Sequence, residues 1–192
     1  MNISFDNFSK QPTHFFPLRS FLSSSQDTLW QIEQGIVRSL TLHEDGTTVA
    51  LGLWGPGDII GQPLSRLIPY QMECLSIVRA KILRSCDWQF DANVLVPQIE
   101  QLEALTVIRS YRRVDIMVIR LLKWLSDKFG RNSELGRIID LRLTHQDIAD
   151  LLGTTRVTVT RILKQLEEQG MIERPSIHHI LIKEEEFWYY QI

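Results

Sequence analysis

Residues Leu143–Arg161 read LTHQDIADLLGTTRVTVTR, and the spacing within this stretch restricts the possible fold more than any other part of the chain. Counting from His145, small Ala149 is fifth, Gly153 ninth, Val159 fifteenth and Ile162 eighteenth. A small side chain at the fifth position lets a second helix cross the first closely. A glycine at the ninth suits a helix end that needs left-handed backbone, which glycine adopts without strain. Val159 and Ile162 anchor the second helix from below. The opposite face of that helix then carries Arg156, Thr158, Thr160, Arg161 and Lys164, and no acidic residue occurs from Thr154 to Lys164. Two arginines on an otherwise small, hydroxylated helix face suit entry into a major groove, where guanidinium groups grip guanine edges. A helical hairpin with merely solvated arginines would explain the charges but not the four positional constraints.

Composition narrows the class. The 192 residues are 44% hydrophobic, enough for one large or two small cores. The net charge of −2 argues against a protein that coats nucleic acid non-specifically, so a DNA contact would be a local basic patch. Charge is segregated accordingly: the reading segment is basic, whereas Glu184, Glu185 and Glu186 follow Lys183. Cys74 and Cys86 are too few for a disulfide framework, a four-thiolate zinc site or a four-cysteine iron–sulfur cluster, and read as reduced, buried thiols. The five histidines, His14, His43, His145, His178 and His179, show no spacing for a shared metal. No metal or cofactor is expected. No nucleophile elbow, phosphate loop or paired metal-ligand motif occurs, so no catalytic residue is assigned and an enzyme is not expected. The N-terminal sequence lacks the pattern of a secretory signal, and no apolar run approaches the ~20 residues that span a bilayer. A cytoplasmic protein without membrane contact is expected.

The organisation is that of an α+β chain. From Phe15 to about Ser85 short apolar, β-branched runs alternate with turn signals at Gln34-Gly35, Glu44-Asp45-Gly46 and Gly55-Pro56-Gly57-Asp58, as in an all-β roll. The pattern changes near Asp91. Leu95, Ile99, Leu102, Arg109, Arg113 and Ile116 fall close to a 3.5-residue spacing, which predicts one long helix with a packing seam, ending at Phe129-Gly130. Ser133–Leu141 reads as a loop-strand linker, and Met171–Ile182 as a β-hairpin turning near Pro175–His179, a wing. Three domains are expected: a sensory roll over residues 1–90, a dimerisation helix over 91–130 and a winged helix-turn-helix over 131–192.

This order, together with LTHQDIADLLGTTRVTVTRILKQLEEQGMIE and the weaker GDIIGQPL (Gly57–Leu64) and VRAK (Val78–Lys81), resembles the CRP/FNR family of transcription regulators. The run Arg156–Arg161 looks most like that of the cyanobacterial global nitrogen regulators. The resemblance implies a cupin-like β-roll of the cyclic-nucleotide-binding type, a homodimer and a palindromic double-stranded DNA site. It implies phosphate contacts from Thr144, His145, Gln146, Thr155, Thr158 and Lys164, and base contacts from Arg156 and Arg161. It also points to Asn132–Ile138 as a surface for RNA polymerase. Two departures matter. Val157 stands where the cyclic-AMP receptor has an acid; valine cannot accept a proton from cytosine but offers an apolar face to a thymine methyl. A TGTGA-type half-site is therefore disfavoured against a GTA…TAC-type palindrome. In the roll, Gln62 and Pro63 replace the acid and its neighbour after Gly61, and Cys74 and Leu75 occupy the places of the phosphate-binding arginine-serine pair. Loss of that guanidinium predicts no regulatory response to cyclic AMP. Gly61, Gln62, Arg109, Arg112 and Arg113 are the candidate effector contacts, for an anion such as 2-oxoglutarate. Arginines that are solvated or paired with Asp115 and Glu103 are the alternative, as is an effector-independent regulator. A rival of another class is a ligand-binding or protein-interaction module of the same fold without DNA binding.

Overall fold

The computed structural model describes residues 12–84, 92–134, 136–176 and 179–183. Cys86, His178 and the acidic run 184–186 lie outside the described residues. The chain divides into two compact units, Met1–Thr41 with Leu53–Val96, and Leu42–Gly52 with Pro97–Ile192.

The β-region folds as the alternating pattern predicts. Its strands are β1 (Thr13–Phe16), β2 (Phe21–Leu22), β3 (Thr28–Gln34), β4 (Val37–Leu42), β5 (Thr48–Trp54), β6 (Ile59–Ile60), β7 (Gln71–Cys74) and β8 (Val78–Arg84). They form two four-stranded sheets in the orders β1-β8-β3-β6 and β2-β7-β4-β5. Apolar side chains fill the interior, among them Leu29, Ile32, Val37, Leu53, Met72, Cys74, Val78 and Ala80, all buried. Gly35 turns β3 into β4 with φ +88°, and a Cβ there would lie 2.3 Å from the Ile77 carbonyl. The position needs glycine twice over, for its backbone and for the close approach. The buried carboxylate of Glu73 is held by Arg38 at 2.6 Å and Arg19 at 3.1 Å, so this charge is buried in paired form.

The expected single helix to Phe129 is two helices, α1 (Ala92–Ser110) and α2 (Val114–Phe129). Arg113 has extended backbone (φ −95°, ψ 119°), and Asp115 opens α2. The Asp115 carboxylate accepts from the Ile116 backbone N–H at 3.0 Å and from Arg113 at 2.5 Å, and its charge suits a helix N-terminus. These local bonds offer the backbone an alternative to helix, which a 3.5-residue apolar spacing does not register. Arg113 and Ile116 therefore lie beyond the end of α1.

The expected loop-strand linker holds a strand and pairs with its neighbours. β9 (Gly130–Ser133) and β10 (Gly136–Asp140) form a hairpin. With β11 (Ile172–Ser176) and β12 (His179–Ile182) they build one antiparallel sheet in the order β11-β12-β10-β9. Against it lie α2 and α4 (Arg156–Glu168), and α3 (His145–Leu152) packs on those two helices, with Leu121, Leu122, Leu125, Ile139, Ile148, Leu152, Ile162 and Ile182 in the core.

Gly153 closes α3 in the left-handed region (φ 66°, ψ 38°), as the motif requires, and a Cβ there meets nothing within 4 Å. Gly153→Ala should thus cost only the left-handed strain, about 1–2 kcal/mol. Gly35→Ala adds a backbone clash to the same strain and should cost more; chemical denaturation of the two variants, compared by midpoint, checks the order.

Candidate nucleic-acid interface

The interface is built on the junction of α3 and α4. Thr144 precedes α3 and closes a reciprocal cap: its Oγ1 accepts from the Asp147 N–H at 3.1 Å, and the Asp147 carboxylate accepts from the Thr144 N–H at 2.8 Å. Two otherwise orphaned helix donors are satisfied this way. Thr155 caps α4 in turn, accepting from the Thr158 N–H at 3.2 Å. Between the caps, Gly153 reverses the chain.

Val159, Ile162, Leu163 and Leu166 form the buried stripe of α4. The 3.6-residue repeat then turns Arg156, Val157, Thr160, Arg161 and Lys164 outward, and all five are exposed. Val157 is 78% exposed, an apolar side chain left on the surface of the first turn. Among the described residues no ion pair is recorded for Arg156 or Arg161. Lys164 makes a solvent-exposed pair with Glu168 at 3.5 Å, a contact worth little.

The hydroxyl and imidazole groups next to these cations are engaged within the protein. Thr160 Oγ1 donates to the Arg156 carbonyl at 2.8 Å and lies 2.7 Å from His145 Nδ1. His145 Nε2 lies 3.0 Å from Arg174 Nη1. Arg174, on β11, forms a two-pronged ion pair with Glu167 near the end of α4, with Nε donating at 2.7 Å to one oxygen and Nη2 to the other. Gln146 donates to Asp150 at 2.6 Å. A groove of about 860 Å³ opens here, lined by Arg142, Thr144, His145, Arg156, Arg174 and His179 among others.

Arg174, Glu167 and Asp147 are the residues that the sequence reading passed over. Each had a signal. Arg174 shares strand parity with buried Ile172, so its charge faces inward and needs a partner. Glu167 follows buried Leu163 by four residues, on the same side of α4. Asp147 stands three residues after Thr144 and completes the cap signature.

The candidate effector contacts are divided between the two units, Gly61 and Gln62 in the first and Arg109, Arg112 and Arg113 in the second. A Cβ at Gly61 would meet the Thr28 carbonyl at 2.5 Å, so the glycine admits strand β3. Gln62 is buried; its amide donates to the Ser65 and Leu67 carbonyls at 3.1 and 3.2 Å and accepts from Ser24 at 3.1 Å. Within the second unit, Arg109 donates to the Leu151 carbonyl at 2.7 Å and the Ala50 carbonyl at 2.5 Å. Arg113 pairs with Asp115, and Arg112 is exposed. Cys74 and Leu75 are both fully buried. Among the described residues no His, Cys, Asp or Glu cluster fits a metal ion, and no helix is long and apolar enough to cross a membrane.

A capped helical pair with an outward cationic face, backed by a β-hairpin, defines a winged helix-turn-helix of the kind that regulates transcription from DNA. The comparisons agree. Residues 118–186 match the Crp-like helix-turn-helix domain. The chain is 41% identical over 160 residues to the regulatory protein CysR of Synechococcus elongatus, covering 81% of this chain and 77% of that one. It is 25% identical to the global nitrogen regulator of Synechocystis sp., over 95% and 88% of the two chains. In structure it superimposes on FixK2 of Bradyrhizobium japonicum with a TM-score of 0.80 at 17% identity, covering 95% and 98%. The chain belongs to the CRP/FNR family of DNA-binding transcription regulators, whose members matched here are regulators and not enzymes.

The acid response of this site follows from its geometry. Burial, then Arg174 from β11 and Arg156 from α4, hold the His145 pKa below its ordinary value of 6.5, against the opposing pull of Glu167 from α4. The unfolded chain therefore takes up the proton first. The stabilisation from neutral His145 is complete above pH 6.5 and is lost as pH falls through the lower folded value. Glu167, held low chiefly by its hydrogen bonds from Arg174, loses its contribution only further into acid, below its ordinary 4.5. Between about pH 7 and pH 5 the melting temperature of the wild type should fall more steeply than that of His145→Gln. Parallel slopes would contradict this.

Proposed function

We propose that this protein is a sequence-specific regulator that binds a palindromic DNA site as a homodimer and reads bases through Arg156 and Arg161. The observation that carries the reading is the outward face of α4, where two arginines without recorded acidic partners flank Val157 in an acid-free segment. Guanidinium groups so placed suit guanine O6 and N7, and Val157 suits a thymine methyl. Thr155, Thr158 and Lys164 on α4, with Thr144, His145 and Gln146 at the start of α3, lie along the edge of that face and suit phosphates. Thr160 serves this edge through its bond to the Arg156 carbonyl. Helix N-termini add to the attraction for phosphate.

Dimerisation is supported by α1. Its inward side buries Gln101, Leu105 and Ile108, yet Leu95, Ile99, Leu102 and Val107 are 41–57% exposed. A helix apolar on two sides has a second partner to cover it. Two copies joined along this stripe would present two α4 helices to successive major grooves, about 34 Å apart. The roll 1–90, the dimerisation segment 91–130 and the reading domain 131–192 are on this view the working parts of the chain.

Cyclic AMP is not the effector on this reading. The places of the phosphate-binding pair hold Cys74 and Leu75, which offer no cation and are buried. Arg109 and Arg113 have protein partners, which supports structural roles for both ahead of an anion site.

Selection of bound sites from random duplex DNA, with and without cyclic AMP or 2-oxoglutarate, tests the whole. The expected product is a palindrome with guanine in each half-site and an A·T pair facing Val157, unchanged by cyclic AMP. On that site Arg156→Ala or Arg161→Ala should each lose about 1–3 kcal/mol of binding and relax specificity at one position. A protein with equal grip on all sequences would refute the reading. Sedimentation of Ile99→Asp and Leu102→Asp tests the stripe: the wild type should run as a dimer and both variants as monomers at micromolar concentration.

A further inference from the structure

We propose that His145 is a positioning residue, fixed as its neutral Nδ1–H tautomer, that ties the wing to the first turn of the reading helix through a one-way chain of hydrogen bonds. This rests on the DNA-reading role of α4 for its consequence, but not for its chemistry. A guanidinium can only donate, so Nε2, 3.0 Å from Arg174 Nη1, must present its lone pair. A neutral imidazole has one N–H, which is left on Nδ1 and points to Thr160 Oγ1 at 2.7 Å. Thr160 has one proton as well, and it goes to the Arg156 carbonyl at 2.8 Å. Donors and acceptors along Arg174, His145, Thr160 and Arg156 are thus all determined by elimination. The usual tautomer, with the proton on Nε2, would set N–H against N–H at Arg174.

The chain is anchored at both ends of one helix. Arg174 grips Glu167 near the C-terminus of α4, and the last carbonyl belongs to Arg156 at its N-terminus. Three elements, α3, α4 and β11, are thereby locked together beside the exposed arginines. The angle between the wing and the reading face is set by bonds that do not themselves touch a base. Hydrogen-bonded side chains of this kind act as a unit, so removing any member should release the rest.

Ring-15N spectra of the labelled free protein near neutral pH test the chemistry. A protonated Nδ1 with a bare Nε2 is expected for His145, and proton occupancy should move towards Nε2 in Arg174→Ala. An Nε2–H or doubly protonated ring in the wild type overturns the proposal, as does a tautomer indifferent to Arg174→Ala. Binding to the selected DNA site tests the consequence, with circular dichroism confirming that each variant is folded. His145→Ala and Arg174→Ala should each bind about tenfold more weakly, and the double variant no more weakly than the worse single one. Additive losses overturn the coupling. A wild type without sequence preference would sink the regulator reading separately, while the ring spectra would still decide the tautomer.

Discussion

The burial of one stripe of α4 determines which side chains of that helix point outward. Val159, Ile162, Leu163 and Leu166 have their side chains in the core beside Ile148, Ala149 and Leu152 of α3. With 3.6 residues per turn, that choice leaves α4 no rotational freedom. Arg156, Val157, Arg161 and Lys164 face outward because their neighbours in sequence face inward. The reading face is a by-product of the core, held by apolar burial that does not depend on DNA. Ala149 completes the constraint, since a larger side chain where α3 meets α4 would force the helices apart.

Polar groups around this face divide into two classes. The hydroxyls of Thr144, Thr155 and Thr160 and both ring nitrogens of His145 are engaged in bonds that shape the scaffold. Among the described residues Arg156 and Arg161 have no such engagement of their guanidinium groups, and both are exposed. Such a division suits the proposed role in a protein with a net charge of −2, where a few well-aimed cations would act against an overall repulsion of DNA. Pre-formed caps and ion pairs hold the helices in place before contact, so less order has to be gained on binding.

The helix-turn-helix was legible in the sequence because its signals are local: Ala149, Gly153, Val159 and Ile162 each act within a turn or two of helix. Strand alternation and turn residues likewise exposed the roll and the wing. Two features were hidden for opposite reasons. The break between α1 and α2 depends on hydrogen bonds of Asp115, which periodicity ignores. The contact of His145 with Arg174 spans 29 positions and depends on the register of β11, which shifts between Glu173 and Ser176. The place of His145 at a helix start is legible in the sequence, whereas the cation that β11 brings to its ring is not.

Arg109 shows the same limit in a different form. On the sequence it is one of a cluster of cations suited to an anion, and burial does lower its pKa from the ordinary value. In the fold its guanidinium is taken up by two backbone carbonyls, Leu151 in the last turn of α3 and Ala50 in β5. A cation beside the carbonyl end of a helix is favoured by the helix dipole, and charge-assisted bonds to carbonyls are among the stronger ones available. An anion at this position would have to displace both, and the carbonyls left behind would lose their donors. The electrostatics that make an arginine look like a receptor serve equally to fasten one element to another. Which of the two it does is decided by the acceptors within its reach, and those are contributed by residues 42 and 59 positions away along the chain.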